Sequence, residues 1–234
     1  MKALVDSDTP IFMAAVSSDG QEEWVAKSRL DTTISNILED SGCTEYELYV
    51  SGGNNFRYDI DPNYKGKRPP SPEHREACRL HLIEAWGAIE CNGYEADDAV
   101  GCEQTKDTII CGIDKDLLMI PGKHYQWPIV RQQKEVRPAR FLEVSEEEGI
   151  RTFFTQMLVG DTVDNIIGIH RVGPVKASKI LEDCQTEEEL YTTVQDVYLG
   201  LDREEDFYKN LDLLWIWRCY GMTYNIRRET FINE

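Results

Sequence analysis

Short apolar runs that stop at a carboxylate constrain this chain more than any other feature. Ala3 to Val5 is such a run and ends at Asp6, as a buried parallel strand does when it delivers an acid to the C-terminal edge of a sheet. Glu47 to Ser51 reads as a second strand before Gly52 and Gly53, and Thr108 to Cys111 as a third, followed by Asp114 and Asp116. Helical patterns lie between them: Trp24 to Leu38, then Ser71 to about Gly87 with Ser71 and Pro72 as N-cap and first-turn proline, then Glu95 to Thr105. Asp116 to Ile120 reads as a helical turn closed by Pro121 and Gly122. This alternation predicts an α/β fold with a mostly parallel central sheet flanked by helices. From Glu148 the pattern turns helical, with Phe153 to Val159 leading into Gly160, a Gly-rich hairpin over Ile166 to Pro174 and a short helix from Val175 to Leu181. The boundary divides the chain into a 1–147 core and a 148–234 helical region.

The acids sit where strands end or helices begin: Asp6 and Asp8; Glu95, Asp97 and Asp98; Asp114 and Asp116; Asp161 and Asp164 after Gly160. On a parallel sheet they converge on one edge, where two carboxylates about 5 Å apart repel by about 3 kcal/mol at an effective dielectric of 20. Protonation or bound cations must relieve that. Hard divalent ions with oxygen ligands, Mg²⁺ or Mn²⁺, suit such a site and meet phosphate, and a pair of them can hydrolyse a phosphodiester. The competing reading is that acids simply favour helix N-termini. Asp6-Ser7-Asp8-Thr9 also fits a haloacid-dehalogenase-like phosphatase with Asp6 as nucleophile, although Gly160-Asp161-Thr162-Val163-Asp164 is one residue short of that superfamily's acidic spacing.

A net charge of −18 excludes a polycation that binds nucleic acid by bulk attraction. Any such contact must be local. Lys65 to His81 carries five bases against two acids, and His170 to Lys179 carries Arg171, Lys176 and Lys179 with no acid, whereas Glu182 to Lys209 holds ten acids against two bases. Seven cysteines, none in a Cys-x-x-Cys spacing, disfavour a disulfide framework or a zinc site. Neither a secretory h-region nor an apolar run of about 18 residues occurs, so a soluble cytoplasmic protein is expected.

Five blocks in order resemble the structure-specific 5′-nucleases, the family of flap endonucleases, phage 5′-to-3′ exonucleases and the nuclease domain of bacterial DNA polymerase I. They are Leu4-Val5-Asp6; Phe56-Arg57 with Tyr64-Lys65-Gly66-Lys67-Arg68; Tyr94 to Asp98; Gly112 to Asp116; and Gly160 to Ile166 running into Gly168 and Val172 to Ala177. The resemblance implies a PIN-like nuclease core with a helical arch at about 62–90 and a helix-hairpin-helix (H3TH) duplex-binding motif at about 151–181. It implies two ions, one among Asp6, Glu95, Asp97 and Asp98, the other nearer Asp114, Asp116, Asp161 and Asp164. Where the family places an acid at the end of its second strand, this chain has Ser51; Asp59 or Asp61 are candidates to compensate, and Asp8 is a further candidate ligand. If Ser51 leaves the site without ions, the chain is a DNA-binding module with a decayed metal site.

The same resemblance casts Lys65 and Arg68 as contacts to the scissile phosphate, and Tyr64 as a ring on which a terminal base could stack. In the hairpin, Gly168, Arg171, Val172, Gly173, Lys176 and Lys179 are the expected duplex-backbone contacts, the glycines clearing the way for amides to reach phosphate. A K⁺ ion on the hairpin's carbonyls is a lesser expectation. The partner expected is DNA with a free 5′ end, bound by a monomer without sequence specificity, in a bacterial or phage-infected cytoplasm.

Overall fold

The computed structural model describes residues 1–131 and 134–232; the last two residues of the expected helical region lie outside them. The six-stranded sheet runs in the order β3 (Ile89–Gly93), β2 (Glu45–Asn55), β1 (Lys2–Asp6), β4 (Thr108–Cys111), β5 (Gly122–Gln126), β8 (Arg140–Val144). The pairings from β3 to β5 are parallel, and only β8 joins antiparallel. Between β5 and β8 in the chain, β6 (Ile129–Arg131) and β7 (Lys134–Arg137) form a separate antiparallel pair.

Alternation along the central strands divides the interior. Ala3, Val5, Leu48, Val50, Ile109 and Cys111 face one core, shared with α1 (Asp8–Ser17), α2 (Glu23–Ser41) and α4 (Arg75–Trp86). Leu4, Tyr49 and Ile110 face the other, where α5 (Ala96–Glu103) packs with α6 (Glu146–Val159), α8 (Glu187–Leu199), α9 (Glu204–Leu214) and α10 (Tyr224–Ile232). The C-terminal helices therefore share one continuous core with the sheet. Between α6 and α8, β9 (Gly160–Asp161) and β10 (Ile166–Ile167) form a small antiparallel pair, followed by α7 (Pro174–Ile180).

The expected helix at Ser71 starts instead at Arg75. His74 is buried with its Nε2 at 2.8 Å from the Gln21 carbonyl, and the Arg75 amide closes a turn on the Pro72 carbonyl. The basic stretch before it, 62–74, is a turn-rich loop rather than helix. Gly160 takes a φ of +73°, and a side chain there would meet the Gly168 amide at 2.3 Å. Gly168 is equally confined, since a Cβ would lie 2.3 Å from the Val159 carbonyl carbon. Its lack of a side chain serves this close chain crossing, not an approach to phosphate.

Candidate metal centre and nucleic-acid interface

Because β1, β2 and β4 run parallel, their C-terminal ends share one edge, and the acids collect there. Asp6 closes β1, and its Oδ1 accepts from the Asp8 amide at 3.1 Å. Burial, then the charges of Asp8 and Asp114, push the Asp6 carboxyl up to about 8. Asp97, in the first turn of α5, is pushed well above the carboxylate range by burial and by Asp98 and Glu95. Asp116 opens a short 3₁₀ turn over Asp116–Met119; burial and Asp114 raise it to about 6. Asp97, Asp116, Asp161, Asp164 and Tyr64 line one cavity of about 20 Å³, room for about one water.

Basic side chains are drawn into this charge. Lys65 pairs with Glu95, Arg68 with Asp164, and Lys115 lies 3.4 Å from both Asp116 and Asp161. Burial would raise Glu95, but Lys65 and Arg57 outweigh it and hold the carboxyl down at about 2. With these cations folded in, no three acidic, histidine or cysteine side chains among the described residues already surround one point as a metal centre would. The compensation is incomplete all the same. Asp116 Oδ1 is buried with only the Lys115 ammonium at 3.4 Å and no hydrogen bond, and Asp6 and Asp97 stay charged only at a cost. An all-oxygen donor set with uncompensated negative charge fits a hard divalent cation.

Several residues do something other than the sequence suggests. Tyr64 is 4% exposed, so its ring offers no stacking surface; its hydroxyl instead lies 2.8 Å from Glu95 Oε2 and 3.0 Å from Asp164 Oδ2. Asp98 is fully buried on Arg57, with Oδ2 at 2.6 Å and Oδ1 at 2.9 Å from its two terminal nitrogens. Ser51 accepts from the Ala96 amide at 3.0 Å, and its own amide donates to Asp8 Oδ1 at 3.1 Å. Asp8 is thus the acid beside Ser51, while Asp61 pairs with Lys209 at 3.4 Å and accepts from the Asn63 amide.

In the hairpin, His170, Arg171, Gly173, Lys176 and Lys179 are exposed, whereas Val172 is buried in the core. Arg203 donates to the carbonyls of Gly168 at 2.7 Å and Ile167 at 3.0 Å, so a K⁺ there would need other carbonyls. Arg57 and Lys115 are the site residues that the sequence reading leaves without a role. Both stand inside the quoted blocks, but their partners, up to 158 residues away, carry no local signal.

No family model matches the chain. It is 29% identical over 197 residues to DNA polymerase I of Rhizobium leguminosarum, covering 74% of this chain and 18% of that protein. A 5′-3′ exonuclease of Mycoplasma pneumoniae is 27% identical over 174 residues, 63% of this chain and 54% of that one. The chain thus spans about a fifth of the length of the polymerase relatives and about half of the exonuclease. The structure of phage T5 5′-exonuclease with bound zinc superposes with a TM-score of 0.62 at 14% identity, over 92% of this chain and 89% of that one, a likeness of fold.

Proposed function

We propose that the chain, which belongs to the 5′-nuclease family by sequence and fold, hydrolyses DNA phosphodiesters near 5′ ends or at junctions of single strand and duplex. What supports this most is the meeting of carboxylates from four separate stretches beneath a loop that bears Lys65 and Arg68. Asp6, Asp8, Glu95 and Asp97 would hold one divalent ion, Mg²⁺ or Mn²⁺, and Asp114, Asp116, Asp161 and Asp164 a second. When bound, such ions supply activation of water and stabilisation of the leaving oxygen. The chain's own groups do the rest. Lys65 and Arg68, now on Glu95 and Asp164, would turn their donors to the scissile phosphate. The Tyr64 hydroxyl fixes the spacing of Glu95 and Asp164. The exposed Arg171, Lys176 and Lys179 grip duplex through its phosphates, without reading bases. We place K⁺ on the remaining hairpin carbonyls, and a monomer with seven free cysteines in a reducing cytoplasm.

End-labelled flap, gapped and blunt duplexes incubated with Mg²⁺ test the reading. The wild-type chain should cleave near the 5′ junction, and EDTA, Asp114→Asn or Asp161→Asn should stop it with the fold intact by circular dichroism. Undiminished turnover by either variant refutes the assignment. Hydrolysis of a phosphomonoester through a covalent aspartyl-phosphate on Asp6 would establish the phosphatase instead.

A further inference from the structure

We infer that Arg57 and Asp98 form a positioning pair that sets Glu95 and Asp97 for the divalent ions and makes the segment 213–217 part of that support; this rests on the nuclease reading above. Arg57 is 2% exposed, and its guanidinium has a partner for every N–H. One terminal nitrogen reaches Asp98 Oδ2 at 2.6 Å and Glu95 Oε2 at 3.3 Å; the other reaches Asp98 Oδ1 at 2.9 Å and the Trp215 carbonyl at 2.8 Å; Nε donates to the Leu213 carbonyl at 2.9 Å.

Asp98 is equally committed. Besides Arg57 it accepts the Glu95 amide on Oδ2 at 3.1 Å and the Trp217 amide on Oδ1 at 3.1 Å. A carboxylate offers about four lone-pair positions, and all are used, which leaves Asp98 none for an ion. The pair instead fixes the rotation of the first turn of α5, with Glu95 as its N-cap on one side and Asp97 on the cavity wall on the other. Segment 213–217 is held beside the pair twice more, at Phe56 next to Arg57 and at Gly101 further along α5. Phe56 stacks on Trp217 with ring centroids 4.7 Å apart, and Gly101 admits the Trp217 carbonyl, which a Cβ would meet at 2.2 Å.

A buried ion pair of this kind is poor at adding stability, because desolvation offsets its attraction, whereas it is good at fixing one geometry. Supporting groups around metal ligands are worth about 10- to 100-fold in metal affinity. The arrangement therefore assigns to the C-terminal segment a share in ion binding through its backbone, whose Leu213 and Trp215 carbonyls and Trp217 amide hold the pair.

Mn²⁺ titrated calorimetrically into the full chain without DNA tests this, with hydrogen exchange at residues 213–217 as a second readout. Two variants are compared: Arg57→Lys, which keeps the charge and loses the fork, and Arg57→Leu combined with Asp98→Leu, which removes both charges and leaves neither buried alone. Each should bind Mn²⁺ about 10- to 100-fold more weakly, and Mn²⁺ should slow exchange at 213–217 in the wild type only. If Arg57→Lys fails to fold, the double variant decides. Wild-type affinity in a folded variant overturns the inference, as does Mn²⁺ binding too weak to measure in the wild type. Weakened binding in Asp98→Asn with none in Arg57→Lys makes Asp98 itself a ligand and also overturns it. A wild type that binds Mn²⁺ through the pair yet cleaves no flap sinks the nuclease reading alone; a cleaving wild type with unaffected variants sinks the pair alone.

Discussion

Ser51 shows how one residue redistributes a site's charge. It stands where the resemblance asks for an acid, and a hydroxyl cannot balance a divalent ion as a carboxylate does. Its oxygen instead receives the Ala96 amide at the start of α5, and the missing charge stands one contact away on Asp8, whose Oδ1 takes the Ser51 amide. Asp8→Asn should therefore weaken Mn²⁺ binding about tenfold, in the range for groups that tune a metal site, and Ser51→Asp in that background should restore it. Calorimetric titration of the single and double variants checks this; a double variant no better than Asp8→Asn would show that the two positions do not exchange charge. Sequence alone made Asp6, Asp114 and Asp161 legible, because each follows an apolar run or a glycine turn that fixes where its backbone goes. It did not reveal what Tyr64, Ser51 or Asp98 touch. Their partners are 31, 45 and 41 residues away in the chain, and no spacing reveals that of two neighbouring acids Asp97 lines the cavity while Asp98 pairs with a buried arginine.

Elements were legible in proportion to how strongly their own residues dictate them. Thr108–Cys111 matches its apolar run residue for residue, since a strand buried on both faces has no polar position to blur its ends. β5, β8 and the β6–β7 hairpin escaped notice, because strands near a sheet edge mix lysine, arginine and glutamate with apolar residues. The true start of α6 was readable: Ser145 and Glu148 form a capping box, a spacing visible in the chain. Packing between the C-terminal helices makes a sharper prediction. The Tyr198 hydroxyl in α8 donates to the Met157 carbonyl in α6 at 2.6 Å and accepts from Asn210 in α9 at 3.1 Å. Tyr198→Phe removes the hydroxyl's donation to the Met157 carbonyl and leaves Asn210 Nδ2 its bond to the Ile167 carbonyl at 3.1 Å; it should cost about 1–3 kcal/mol in denaturant unfolding, and no change would mean that water replaces the hydroxyl. Acid stability tests the α8–α10 contact. Burial would raise Glu187, but hydrogen bonds from Arg227 and Tyr224 outweigh it and hold the carboxyl below its usual range. A depressed carboxyl contributes stability that is full above its unfolded pKa of about 4.3 and is lost as pH falls through the folded value. Glu187→Gln should be less stable near neutrality and lose less on acidification, so that the two unfolding curves converge at low pH; parallel curves would show the contact to be thermodynamically silent.

At the scale of the molecule, a chain of net charge −18 repels a polyanion everywhere except where bases gather without acids. The 171–179 stretch is such a place, with Arg171, Lys176 and Lys179 exposed, whereas other bases are already spent: Lys65 on Glu95 and Arg68 on Asp164. Arg79 is bound to Glu76 and Glu90 at 2.7 Å each. On the proposed nuclease reading, the electrostatic contribution to duplex binding is therefore concentrated, and it can be counted. Each lysine that meets a phosphate releases counterions and steepens the fall of log affinity with log salt by about 0.9. Lys176→Ala should weaken binding to blunt duplex equally for unrelated sequences and shallow the salt slope by about one. Arg79→Ala, which removes an equal charge from a guanidinium already paired, should leave the slope where it was. Fluorescence anisotropy with labelled duplex across a range of KCl concentrations separates the two cases. Equal changes in both variants would mean that DNA senses only the summed field of the chain, and the hairpin would then have no claim to be the grip.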